Sequence, residues 1–532
     1  MFSIFERKGK TETPWYGRVS IYAFIKQNLD KQTERLPEDY DKLPDDEIRF
    51  KEGELRWVSG AMDGAFGHHG GGSQSEEQSK RIAHLLKVIS QTGKDSSKIE
   101  LYKILQEDSV LDYIDESIEK AVALNISPEP YLHTFANFLA KESPDRGPVK
   151  FGIALLGIIQ DSNDKPLIML LGKHEEFTLF SAVALSNMSQ QPEGDLFDLA
   201  KKVNGWGRIH LVESLEGTDN KEIQEWMLRD GYKNSIMYEY LAYICATSGK
   251  LRESLKITSL DKGMFNSAGD LIEALISGGP ARDIYEYDDA ADVISMYLHH
   301  FTNQPKQLKH YLVLQAIKGY LSSDSWDIEE QKSSGWQLHT RERALSTLEN
   351  LLNDIEWKTI TEKALKSADN MDFFNADRAA RYLKMDTWDI HWHRLIEEPA
   401  DSGRWFYVMR ESNLERIDAI LSLAESKIPL DSISTGAADE MGMGPEYNWH
   451  SVLDYILQDL DQYPGKGEKL ILTGLQSPVI RNRNMALKAL TAWSLDIRGE
   501  KITDSLKSAY KLEPDADVKD SIKNVIDGKE ID

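Results

Sequence analysis

The stretch "GAMDGAFGHHGGG", residues 60–72, sets Asp63, His68 and His69 among glycines. Carboxylates and imidazoles bind transition metals, and glycine lets backbone approach a ligand closely or take positive φ. A metal site needs several converging ligands, and adjacent histidines converge on one ion only across a specific bend. A further ligand, His84, is available only if the next helix folds back. The run Gly70, Gly71, Gly72 leading into Ser73 and Ser75 has the composition of a flexible connector to a helix N-cap. The segment therefore reads as a connector, or as a mobile lid with Trp57, Met62 and Phe66 as its apolar contacts and Asp63, His68 and His69 as its polar ones.

A second dense stretch, "MDTWDIHWHRLIEEP", holds His391 and His393 with Asp389 and Glu397 nearby. The local pattern is helical, and residues two apart on a helix point in different directions, so the two rings do not share an ion. Trp388 and Trp392 are kept as candidate binding residues, although tryptophans in all-α proteins, Trp405 included, commonly serve packing. The pair His174-Glu175 in "GKHEEFT" reads as a solvated turn. No metal is expected, and His68, His69, His391 and His393 come nearest to a ligand set. No catalytic residue is assigned.

Other chemical grammars are missing. "PGKGEKL", residues 464–470, lacks the Walker spacing, and no GxGxxG opens a helix after a strand. A serine nucleophile elbow and a zincin HExxH are absent as well. Cys245, the single cysteine, lies in the helical pattern "MYEYLAYICATSG" and reads as a core residue ahead of a stop at Gly249.

The chain is 532 residues long with a formal net charge of −25, too long for one compact core and too acidic to favour a phosphate backbone as partner. Nucleic acid is excluded as the expected partner. "FGIALLGII" is about half a membrane span, and no signal peptide opens the sequence. The expectation is a cytoplasmic protein with no membrane anchor.

From residue 76 onward apolar residues fall at helical spacing, as in Ile82, Leu85, Leu86 and Ile89 behind Ser75. Strand alternation is confined to "EIRFKEGELRWVSG", a possible hairpin. In "SLKSAYKLEPDADVKDSIKNVI", Leu506, Ala509 and Leu512 face one way, Pro514 and Asp515 turn the chain, and Val518, Ile522 and Val525 supply the next face. "LILTGLQSPVIRNRNMALKALTAW" repeats that grammar around Pro478 and Arg481, and "SPDRGPVKFGIALLGII" echoes it. These hairpins resemble HEAT repeats. The fold class expected is all-α, a HEAT/ARM-like α-solenoid over residues 76–532, with a less regular N-terminal segment at 1–75 and a Gly-rich acidic insertion near 435–448.

"PWYGRVSIYAFIK", "RWVSGAMDGAFGHH" and "WMLRDGYKNSIMYEYLAYICATSGKL" are similar to a group of bacterial cytoplasmic proteins named limonene hydroxylase. That resemblance covers most of the chain and implies an NAD(P)H-dependent monooxygenase acting on a cyclic monoterpene; an apolar pocket between helices, lined by some of Trp326, Trp336, Trp357, Trp388, Trp392 and Trp405, would suit such a substrate. It supplies no catalytic motif to carry over, and oxygen activation needs a cofactor whose binding signature is not visible in the sequence. The residues themselves favour a binding or scaffold protein that engages a protein with a basic surface, with no cofactor. NAD(P)H enters only with the hydroxylase alternative.

Overall fold

The computed structural model describes residues 13–50, 56–64, 76–107, 110–128 and 130–531. Phe66, His68, His69 and Ser75 lie outside the described residues. The elements are helices, and among the described residues there is no strand, only one isolated bridge between Glu440 and Val479. The fold class is all-α. Where the chain is described, the hairpin expected over 47–60 is not formed: Asp46–Arg49 is a helical turn and 56–60 is irregular. Asp46 and Glu47 at the start of that turn and Arg49 at its end suit the helix dipole, which competes with strand alternation. No helix among the described residues is long and apolar enough to cross a membrane. Contacts divide the chain into two compact units, Met1–Ile355 and Glu356–Asp532.

In the first unit, six helices pack each against the next in order: α1 (Arg146–Ile159), α2 (Glu175–Met188), α3 (Gly205–Ser214), α4 (Glu239–Ser248), α5 (Lys262–Ser277) and α6 (Leu308–Leu321). Shorter helices connect them, and of these Ala290–His300 packs on both Leu251–Leu255 and Leu338–Leu352. Helix α1 is apolar on nearly every side because it is covered by α2 and by helix Tyr131–Glu142. A Cβ on Gly157 would stand 2.6 Å from the Cα of Ala184, so glycine is what lets α1 and α2 approach this closely. The expected helix after residue 75 runs Glu76–Thr92, with Ile82, Leu85, Leu86 and Ile89 all buried. Cys245 is buried on α4, and burial pushes its thiol well above the usual range.

The second unit has its own apolar core. Helices α7 (Ser402–Arg410), α8 (Asn448–Leu457), α9 (Ile480–Thr491) and α10 (Ala516–Ile526) again pack each against the next. Val518, Ile522 and Val525 on α10 are buried, as the sequence pattern predicts. Leu512 is a correction: it is 73% exposed, while its neighbour Glu513 is buried. Glu513 turns inward because Arg483 on α9 makes a two-pronged ion pair with it, Nε and Nη2 each 2.8 Å from a carboxylate oxygen. The same guanidinium donates to the Ser477 and Pro478 carbonyls, both at 2.9 Å. The Gly-rich insertion is tied to this turn, with Gly436 donating to the Gln476 carbonyl and Ile480 to that of Glu440.

Candidate functional site

Helix α1 carries Arg146 and Lys150, one turn apart on an otherwise apolar helix, and both are buried. Buried cations demand anionic partners. Lys150 Nζ lies 2.5 Å from Asp63 and 2.6 Å from Glu176. Arg146 donates to Asp45 through Nε and Nη2 and also reaches Asp46, with Glu176 at 3.7 Å. Arg56 bridges Asp46 at 2.6 Å and Asp41 at 2.7 Å. The N-terminal segment is thus pinned to α1 and α2 by a continuous chain of ion pairs.

The glycine question raised by residues 60–72 has a partial answer here. Gly60, at φ +74°, passes so close to the start of α2 that a Cβ would stand 2.8 Å from the Glu175 carbonyl oxygen. Its N–H donates to Glu176 at 3.1 Å. A helical turn at 61–64 then delivers Asp63 to Lys150. Trp57 and Met62 stay 59% and 47% exposed, and with Asp63, Lys150, Arg146 and Glu176 they line a cavity of about 600 Å³. Three of the residues singled out from sequence therefore share one cavity.

On the other side of the same segment lies a larger cavity of about 760 Å³, lined by residues from Asp30 to Asp41, by Lys173, His174 and Glu175, by Lys202 to Asn204, and by Ser235 and Ile236. The sequence reading of "GKHEEFT" as a solvated turn is corrected. His174 caps α2, its Nδ1 accepting from the Glu176 N–H at 3.2 Å, and is 2% exposed. Burial pushes its pKa down to about 4. Burial pushes Glu175 up to about 8, helped by the charge on Asp41 and opposed by a hydrogen bond from the Trp206 N–H. Burial acts the same way on Glu176, but Lys150 and Arg146 more than offset it and hold that carboxylate down to about 2. Asp63 is raised by burial and by the charge of Glu176, against the pull of Lys150. Two neighbouring glutamates thus differ in protonation because Glu176 is paired directly with Lys150 beside Arg146, whereas the pull of Arg208 on Glu175 does not offset its burial.

The remaining sequence candidates lie in the second unit and do not converge. On helix Trp388–Glu397, His391 is buried, bonded to Asp377 at 2.8 Å and stacked on Tyr407. His393 is turned away, its Nδ1 donating to the Asp389 carbonyl at 2.6 Å. Trp388 and Trp392 stack on each other, 5.2 Å between ring centres, against the core. Trp336, Trp357 and Trp405 are fully buried core residues, Trp336 in the first unit and the other two in the second. Among the described residues a different group, His133, Asp161 and Asp164, could hold an ion, and the sequence reading missed it. Asp164 already takes His133 at 2.7 Å and the Asn137 amide at 3.0 Å, and Asp161 accepts from the Asn163 N–H.

Comparison of the chain with protein-family models, with curated proteins and with solved structures finds no match. Neither the HEAT-repeat name nor the limonene hydroxylase name is supported by a family match.

Proposed function

We propose that the protein is a cytoplasmic binding or scaffold protein of α-solenoid type, whose partner is a protein with a basic surface. The successive packing of α1 to α6, and separately of α7 to α10, supports the solenoid part of this reading, because each helical hairpin covers the apolar face left by the one before. The observation that carries the binding reading is the exposure of Trp57 and Met62 at a cavity also lined by the ion-paired Asp63, Glu176, Lys150 and Arg146. Exposed tryptophan beside adaptable methionine, rimming a charged floor, is the make-up of an interface anchor. The charge of −25 favours a basic partner and disfavours nucleic acid.

The test is capture from cell lysate by the full chain and by the Trp57→Ala, Met62→Ala double variant, compared by mass spectrometry. A basic protein retained by the wild type and lost by the variant is the expected result. An identical set of captured proteins would overturn the assignment of this face.

The hydroxylase alternative has one feature in its favour, an apolar cleft of about 340 Å³ lined by Leu86, Ile118, Leu132, Leu155 and Ile159. Such a cleft suits a small hydrocarbon. Product analysis after incubation with limonene and NAD(P)H distinguishes the two readings: hydroxylated product would place the enzyme ahead of the binding protein.

A further inference from the structure

We propose that the cavity bounded by His174, Glu175, Arg35, Lys173 and Lys202 is a binding site for the anionic group, carboxylate or phosphate, of a small molecule. The central observation is an unmet donor. A backbone N–H can only donate, so the Glu176 N–H fixes His174 Nδ1 as an acceptor without a proton. With its pKa held down to about 4 the ring is neutral, and its proton is therefore on Nε2. That Nε2 is buried and has no acceptor in the protein. An unpaired buried donor is destabilising, and a ligand acceptor reaching it from the cavity that His174 lines would relieve that cost.

The other groups agree in sign. The carboxyl of Glu175, the first residue of α2, meets the N-terminus of α3, where Asn204 provides no side-chain cap and the Trp206 N–H reaches it. Protonated at neutral pH, Glu175 has an O–H to donate as well. Arg35, Lys173 and Lys202 stand at the wall, a local concentration of cations in an acidic chain. The carboxylates lining the cavity are already engaged: Asp41 pairs with Arg56, and Asp30 accepts from Thr33 and Gln32 within its own turn. At the exposed rim Glu34 lies 3.4 Å from Lys173 and 3.6 Å from Lys202, so these ammoniums already accommodate a carboxylate, and loosely. Arg35 already donates to the Lys201 carbonyl and Lys202 to that of Thr33, so these cations contribute charge while His174 Nε2 is the unpartnered donor. With the lining carboxylates already engaged, the cavity favours an anion over a cation.

Ionisation of Glu175 places a negative charge in the cavity beside Asp41, opposed by Arg208 from α3 and by the wall cations. Anion affinity should therefore fall as pH rises through about 8.

The experiment is calorimetric titration of the full chain with inorganic phosphate and, separately, with citrate, at about pH 6.5 and about pH 9. The expected result is saturable binding of at least one probe at the lower pH, weaker at the higher. Which probe binds decides between phosphate and carboxylate. Asn in His174→Asn retains an acceptor for the Glu176 N–H and removes the Nε2 donor; roughly tenfold weaker binding is expected. Lys173→Gln with Lys202→Gln, its folding checked by an unchanged melting temperature, should weaken binding similarly. Absence of saturable heat with both probes, or binding unchanged in the lysine variant, would overturn the proposal.

Discussion

Glu175 and His174 are the residues whose protonation the fold alters most usefully, and both alterations have consequences for stability. Glu175 is raised from 4.5 to about 8, so the folded chain keeps a proton that the unfolded chain has lost over that interval. Stability is eroded as pH rises from about 4.5 and the loss levels off above about 8. Glu175→Gln removes this penalty. Its advantage over wild type should grow across that range to about 5 kcal/mol, read from denaturant midpoints at several pH values. His174 acts in the opposite direction: held at about 4 against 6.5, it costs stability as pH falls from 6.5 to 4, and Glu176 adds a loss from 4.5 toward 2. In the sequence, "HEE" reads as a solvated turn, whereas it opens a helix with His174 as its cap. Its burial was not legible from its own neighbours. The signal lay elsewhere, in Arg146 and Lys150 at one-turn spacing on an apolar helix, which require buried carboxylates to pair with.

At the scale of elements, the ion-pair chain is what fastens residues 41–50 and 56–64 to α1 and α2. Lys150→Met leaves Asp63 and Glu176 without their shared cation, and removing one partner of a buried pair costs about 3 to 5 kcal/mol. The expected outcome is faster proteolytic cleavage within 41–64 than in wild type, with the second unit melting unchanged; equal cleavage rates would show that the segment is held by other contacts. Ile522→Asp buries an unpaired carboxylate between α10 and α9 and should lower the melting temperature of the second unit, as followed by calorimetry. The helical elements were readable because apolar spacing is local information, and Val518, Ile522 and Val525 fall where that spacing puts them. Leu512 broke the pattern because the Arg483–Glu513 pair, made across thirty residues of sequence, claims the inward position. The same holds at 47–60, whose alternation suggested strands: in its described parts, pairing of Asp45 and Asp46 with Arg146, and of Arg56 with Asp41, ties the chain to distant partners.

For the whole molecule, helix-on-helix packing repeats within each of two units, and the proposed partner face belongs to the first of them. Length and net charge restricted the class of protein in the sequence, and periodicity supplied its all-α character. The partner face was only half legible: Trp57, Met62 and Asp63 were identifiable as residues, but the cavity they share with Lys150 and Glu176 comes from contacts across more than eighty positions of the chain. The most direct test is the affinity of the captured basic partner for the full chain and for the Trp57→Ala, Met62→Ala variant, each at low and at raised salt. The account predicts at least about thirtyfold weaker binding by the variant, the loss of a tryptophan anchor, and wild-type affinity that falls with salt. Equal affinity for the two proteins, or wild-type binding indifferent to salt, would contradict it.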